Sequence, residues 1–97
     1  LVADLVRYFT KHAPEMLAPE PVPLHLMKHR ASYLHFVPRG VVGIIAPWNF
    51  PFSIPLGEAI MSLIAGNAVV LKPSEVTPLI ALKAKEIYEA AELPPDL

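Results

Sequence analysis

Ninety-seven residues hold at most one small domain, and folds of this size bury a modest share of their surface. A net charge of −1 with no basic run argues against a nucleic-acid groove, and zero Cys excludes disulfides and Cys-ligated metal within these residues. No apolar stretch reaches the length of a helical membrane span, while a hydrophobic content of 54% predicts apolar surface that lies against further chain or another subunit.

Leu1 to His12 reads as a helix. Leu1, Leu5, Tyr8, Phe9 and His12 share one face, with Asp4, Arg7 and Lys11 off it. Pro14 is expected to stop or kink the helix, and Glu15–Leu17 can add a further turn. Ala18 to Leu24, APEPVPL, reads as an extended, polyproline-like linker over the surface. His25 and His29 stand four apart, a spacing that binds metal on a helix. The surrounding prolines argue against a helix and no Asp or Cys joins them, so a solvated or packed histidine pair is the simpler reading and no metal site is expected.

Ala31 to Val37, ASYLHFV, reads as a strand. Tyr33, His35 and Val37 lie on one face and Ser32, Leu34 and Phe36 on the other, so apolar groups on both sides call for cover on both. Pro38-Arg39-Gly40 then turns the chain into its central unit. Two apolar runs, Val41–Ala46 and Ala68–Leu71, do not alternate with polar residues, which predicts parallel strands buried on both faces. Between them Leu56, Ala59, Ile60, Leu63 and Ile64 form one helical stripe. Ser53 can cap that helix, Pro55 suits its first turn and Gly66-Asn67 can end it. A last helix is expected from Pro78 to about Glu92, with Thr77 as cap and Pro94-Pro95 as its stop. Its buried stripe would be Ile80, Ala84, Ile87 and Ala91, with Lys83, Lys85, Glu86 and Glu89 in water.

The expected fold class is therefore α/β, a parallel-sheet β-α-β-α unit preceded by a helix, a Pro-rich linker and a strand. In a β-α-β unit both strands point the same way, so both terminal loops emerge at one sheet edge, where open α/β sheets bind ligands. Asn49 follows the first strand and Lys72 the second. Asn49 is a neutral hydrogen-bond donor, Lys72 a cationic one, Glu75 an acceptor for hydroxyls and Trp48 a flat apolar wall. The set suits a ligand with sugar hydroxyls, phosphates and an aromatic ring. Singly, each residue has a plainer reading: Trp48 as core packing, Asn49 as an Asx turn between prolines, Lys72 and Glu75 as solvated charges at a strand end.

Ala46-Pro47-Trp48-Asn49-Phe50-Pro51, followed by Ala65-Gly66-Asn67-Ala68-Val69-Val70-Leu71-Lys72-Pro73-Ser74-Glu75 and Thr77-Pro78, resembles the aldehyde dehydrogenase superfamily, whose members oxidise aldehydes to acids with NAD or NADP. The resemblance runs from about Arg39 to Asp96. Arg7-Tyr8-Phe9 and the strand Ala31–Val37 match more loosely. It implies a Rossmann-like dinucleotide-binding part over residues 39–97. Residues 1–38 would be an N-terminal helix, linker and strand of an oligomerisation arm that joins subunits into a homodimer or homotetramer.

By the same resemblance Asn49 would be the amide that steadies the oxyanion. Ala46, Pro47 and Trp48 would line the nicotinamide and its ribose, and Lys72 and Glu75 would hold the adenosine ribose hydroxyls with Pro73 and Ser74 between them. A carboxylate accepts from a 2′-hydroxyl and repels a 2′-phosphate, so Glu75 favours NAD, with NADP the second candidate. The expected partner is a small-molecule aldehyde and the expected location cytoplasmic.

The family's nucleophilic Cys and general-base Glu would lie past Leu97. With no Cys and Leu rather than Met at position 1, the chain reads as an internal piece of a longer enzyme, inactive alone. Two other readings stay open: a semialdehyde dehydrogenase branch that forms an acyl-CoA, and a non-catalytic binding or assembly module that kept the cleft without the nucleophile.

Overall fold

The computed structural model describes residues 1–94 and residue 97. Pro95, half of the proline pair expected to stop the last helix, and Asp96, the far end of the family-like stretch, lie outside the described residues. In chain order the elements are α1 (Val2–Met16), β1 (Glu20–Pro21), β2 (Tyr33–Leu34), β3 (Val41–Ile45), α2 (Ser53–Ile64), β4 (Ala68–Lys72) and α3 (Pro78–Ala90).

The centre is the predicted β-α-β unit. β3 pairs with β4 in parallel, in the register Val41↔Ala68, Val42↔Val69, Gly43↔Val70, Ile44↔Leu71 and Ile45↔Lys72. Strand residues paired in this way share a face. Val42, Ile44 and Ala46, with Val69 and Leu71, form the half of the pair covered by α2, where Ile44, Ala46, Leu56 and Ala59 are buried. The other face stands open: Val41, Ile45 and Val70 are 67%, 80% and 64% exposed. The expectation of strands buried on both faces is thus corrected to cover on one. Unbroken apolar runs record what a strand is suited to meet; the single crossover helix lies on one side only.

α2 ends as predicted. Gly66 takes φ +86°, its N–H reaches the Leu63 carbonyl at 2.9 Å and the Asn67 N–H reaches the Ser62 carbonyl at 3.0 Å. These two bonds are the Schellman pattern, which needs a residue at ease in the left-handed region. The start of α2 differs. Ser53 is its first residue rather than its cap; Phe52 precedes it already near helical angles, and no side chain caps the helix.

α1 packs along α2, with the Leu5 side chain against Gly57. Pro14 neither stops nor ends α1, which continues to Met16 and closes with the Leu17 N–H on the Ala13 carbonyl at 2.9 Å. A proline this near a C-terminus removes one hydrogen bond and leaves few turns to disrupt. Leu1 and Tyr8 lie exposed, so the covered stripe is Val2, Leu5, Phe9, His12 and Ala13 rather than the predicted five.

The linker is also partly corrected. Glu20–Pro21 pairs antiparallel with Tyr33–Leu34, and the Val22 N–H donates to the Ser32 carbonyl at 2.8 Å. The ladder stays two residues long because Pro19, Pro21 and Pro23 bring no N–H to it. The predicted strand Ala31–Val37 shrinks to Tyr33–Leu34, and its apolar residues Tyr33, Leu34, Phe36 and Val37 are exposed. His25 and His29 lie in the non-helical segment between β1 and β2.

In α3, Thr77 holds the cap position, but its side chain makes no capping bond, and its Oγ1 is buried without a partner among the described residues. Ala84 is buried as predicted and Ile80 half-buried, whereas Ile87 and Ala91 are exposed and Ala81 and Tyr88 turn inward in their place. Lys83, Lys85, Glu86 and Glu89 face water, in the ion pairs Lys83–Glu86 (2.7 Å) and Lys85–Glu89 (3.5 Å). No helix among the described residues is long and apolar enough to cross a membrane.

Candidate functional site

β3 and β4 deliver their tips to one rim. The ladder persists past Ile45: the Ala46 N–H donates to the Lys72 carbonyl at 3.0 Å. Pro47, Trp48 and Asn49 therefore leave β3 where Lys72, Pro73, Ser74 and Glu75 leave β4.

The charged pair on this rim is formed within one turn of chain. Lys72 Nζ donates to Glu75 Oε2 at 2.7 Å, and both side chains are exposed. That hydrogen bond, with a backbone N–H and the Lys72 charge adding to it, holds the Glu75 carboxyl below the ordinary carboxylate range. Glu75 is thus a carboxylate at neutral pH, with a cationic donor beside it. The couple is worth little to stability, because exposed ion pairs are screened by water. Its value is chemical: a donor and an acceptor side by side match two neighbouring hydroxyls.

Ser74 shapes the turn between them. It is 8% exposed, its Oγ accepts from the Val76 N–H at 3.2 Å, and its carbonyl accepts from the Thr77 N–H at 3.3 Å. Its hydroxyl is committed to the turn rather than to the rim. Ala46 is likewise buried, and Pro73 half-buried. Of the eight predicted site residues, Pro47, Trp48, Asn49, Lys72 and Glu75 present exposed side chains; Ala46, Pro73 and Ser74 form the frame. Trp48 is exposed rather than core packing, as the plainer reading of that residue would have it.

A separate groove of about 580 Å³ runs between α2, β4 and α3, lined in part by Leu63, Val69, Leu71, Ala84 and Tyr88. Pro73 is the one predicted site residue among those lining it. Burial pushes the Tyr88 hydroxyl's pKa up, and its oxygen has no hydrogen-bond partner among the described residues.

At the opposite, entry end of the strand pair sits Asn67, part of the helix-ending Gly66-Asn67 pair and of the family-like motif, with no site role expected from the sequence. Asn67 is 7% exposed; its Oδ1 accepts from the N–H groups of Arg39 (2.6 Å) and Gly40 (3.1 Å), and its Nδ2 donates to the Ser62 carbonyl at 3.2 Å. The available signal was an Asn directly after the left-handed Gly66, a position where a carboxamide can meet backbone groups on both sides.

Comparison with known proteins follows this geometry. The model of the aldehyde dehydrogenase family matches residues 1–97. A 1-pyrroline-5-carboxylate dehydrogenase of Geobacillus sp. (strain WCH70) is 38% identical over 93 residues, 95% of this chain and 18% of that protein. A Mycolicibacterium smegmatis protein provisionally named succinate-semialdehyde dehydrogenase (NADP(+)) is 41% identical over 91 residues, 94% of this chain and 18% of that protein. Among solved structures, a point mutant of aldehyde dehydrogenase from Bacillus cereus superposes with a TM-score of 0.82 at 32% identity, covering 96% of this chain and 18% of that one. The chain thus spans less than a fifth of the length of these relatives.

Proposed function

Because this chain belongs to the aldehyde dehydrogenase family, we propose that it supplies the oxyanion amide and one end of the NAD(P) cleft of an enzyme oxidising an aldehyde to a carboxylic acid. The observation that carries the reading is the parallel register Ile45↔Lys72, which brings the Trp48-Asn49 loop and the Lys72–Glu75 pair to one rim.

The residues present fit a dinucleotide. Lys72 donates and Glu75 accepts toward ribose hydroxyls, and Trp48 offers an exposed aromatic surface in the loop after β3. When bound, NAD(P) would supply the hydride acceptor of the oxidation. Asn49 donates its side-chain N–H to the carbonyl oxygen as negative charge builds there. An uncharged amide does this by hydrogen bonding, without transferring a proton. The attacking thiol of that chemistry is not among these residues, which contain no Cys. The Glu75 carboxylate, held ionised by Lys72, favours a 2′-hydroxyl over a 2′-phosphate and hence NAD over NADP.

Residues 39–97 are the opening β-α-β-α part of the nucleotide-binding domain in this reading, and residues 1–38 lead into an oligomerisation arm. The exposed Tyr33, Leu34, Phe36 and Val37 on and after β2 support a subunit contact there.

The test is turnover by the complete protein with NAD+ or NADP+, using succinate semialdehyde and 1-pyrroline-5-carboxylate as the first substrates, after the names of its relatives. A carboxylic acid product formed with stoichiometric reduced cofactor supports the reading. A thioester formed only with coenzyme A present moves it to the acylating branch, and no turnover across an aldehyde panel sinks it in favour of a binding module.

A further inference from the structure

β3 and β4 do little to choose their own register. Val41-Val42-Gly43-Ile44-Ile45 and Ala68-Val69-Val70-Leu71 are apolar throughout, so sliding one strand by two residues would still set apolar beside apolar and keep each side chain on its face. Such a slide displaces one tip against the other by about 6.6 Å. The rim that holds Asn49, Lys72 and Glu75 would be dismantled while the apolar packing survived. Polar groups at the strand ends can tell these registers apart where apolar pairing within the strands does not.

The structure assigns that task to Asn67, as a positioning residue for the opposite rim, an inference that rests on the proposed cleft reading. Its carboxamide uses both ends. Oδ1 accepts from two successive backbone N–H groups, Arg39 and Gly40, at the point where the chain enters β3. Nδ2 donates to the Ser62 carbonyl in the last turn of α2. The next residue closes the first rung: the Ala68 N–H donates to the Gly40 carbonyl at 2.7 Å. Asn67 and its neighbour thus join three segments: the β3 entry, the end of α2 and the start of β4. A two-residue slide would part the buried Asn67 carboxamide from the Arg39 and Gly40 N–H groups and leave it unsatisfied. Apolar pairing between the two strands tolerates the slide; these hydrogen bonds do not. Gly66 lies at the same junction, where an added Cβ would stand 2.9 Å from Pro38 Cγ.

Hydrogen exchange of the complete protein tests this at the far end of the ladder, with no cofactor needed. In Asn67→Ala, exchange of the Ala46 N–H, which is bonded to the Lys72 carbonyl, should quicken at least tenfold together with that of Arg39 and Gly40, and KM for NAD+ should rise. Faster exchange confined to Arg39 and Gly40, with Ala46 protected as in the wild type, overturns the inference. Asn67→Asp provides a second route if the alanine variant does not fold. Its carboxylate accepts from both N–H groups but has no proton for the Ser62 carbonyl. After correction for intrinsic exchange, protection at Ala46 should therefore fall at least tenfold at neutral pH in this variant too, and protection equal to that of the wild type overturns the inference equally. Loss of Ala46 protection with unchanged cofactor KM would instead support the clamp and count against the ribose role of Lys72 and Glu75.

Discussion

The Ala46 N–H donates to the Lys72 carbonyl at 3.0 Å, so the first residue after β3 is tied to the last residue of β4. It extends the parallel register of β3 and β4, which brings the loop bearing Asn49 and the turn bearing Glu75 to the same edge.

Asn49→Ala in the complete protein is expected to lower kcat by about a hundredfold to a thousandfold, the usual cost of losing one oxyanion donor. KM for the cofactor should change little, because the amide meets the carbonyl oxygen rather than the ribose. Steady-state kinetics check both, and an unchanged kcat would remove the assigned role.

Glu75→Ser replaces the carboxylate that would face a 2′-phosphate with a small hydroxyl. The ratio of kcat/KM with NADP+ to that with NAD+ is expected to rise. Kinetics with both cofactors decide the matter, and an unmoved ratio argues against a ribose contact at this position.

Glu75 also makes a pH prediction. Its carboxyl titrates below the ordinary range because Lys72 donates to it. A depressed folded value means that the pair is fully formed above the unfolded carboxylate value and is lost as pH falls through the folded one. Between about pH 8 and 5 Glu75 should therefore stay ionised and add no step to the cofactor KM. Lys72→Met removes the donor and the charge together, and should move the Glu75 midpoint upward in a carboxyl NMR titration.

Gly66→Ala meets two obstacles. The residue holds φ +86°, and an added Cβ would stand 2.9 Å from Pro38 Cγ. A loss of about 1–3 kcal/mol in chemical denaturation is expected from the backbone conformation alone. Pairing the change with Pro38→Ala should recover the steric share and leave the conformational one.

Tyr88→Phe is expected to leave stability unchanged or to raise it. The hydroxyl oxygen is buried without a partner among the described residues, and deleting such a group removes a desolvation cost. A fall in the melting temperature of more than a few degrees would mean that the hydroxyl has a partner in the complete protein.

Much of this molecule was legible because its cues are local. The stripe of Leu56, Ala59, Ile60, Leu63 and Ile64, the left-handed Gly66 and the Pro at the start of α3 are decided within a few residues of chain, and each was found close to where it was expected. The motif around Asn49 and the one ending in Glu75 pointed to the family by residue identity alone, before any coordinates. Three things needed the third dimension. Which face of β3 and β4 is covered depends on where helices land, not on the strands' own composition. The inward turn of Tyr88 in place of Ile87 depends on how α3 sits against α2 and β4, since two neighbouring residues offer the helix nearly equivalent faces. The bonds from Arg39 and Gly40 to Asn67 link residues 28 and 27 positions apart, and no periodicity in the chain carries a hydrogen bond over that distance. Sequence settles what each short segment favours. Tertiary structure settles which segments meet, because only there do backbone groups far apart in the chain compete for the same buried partner.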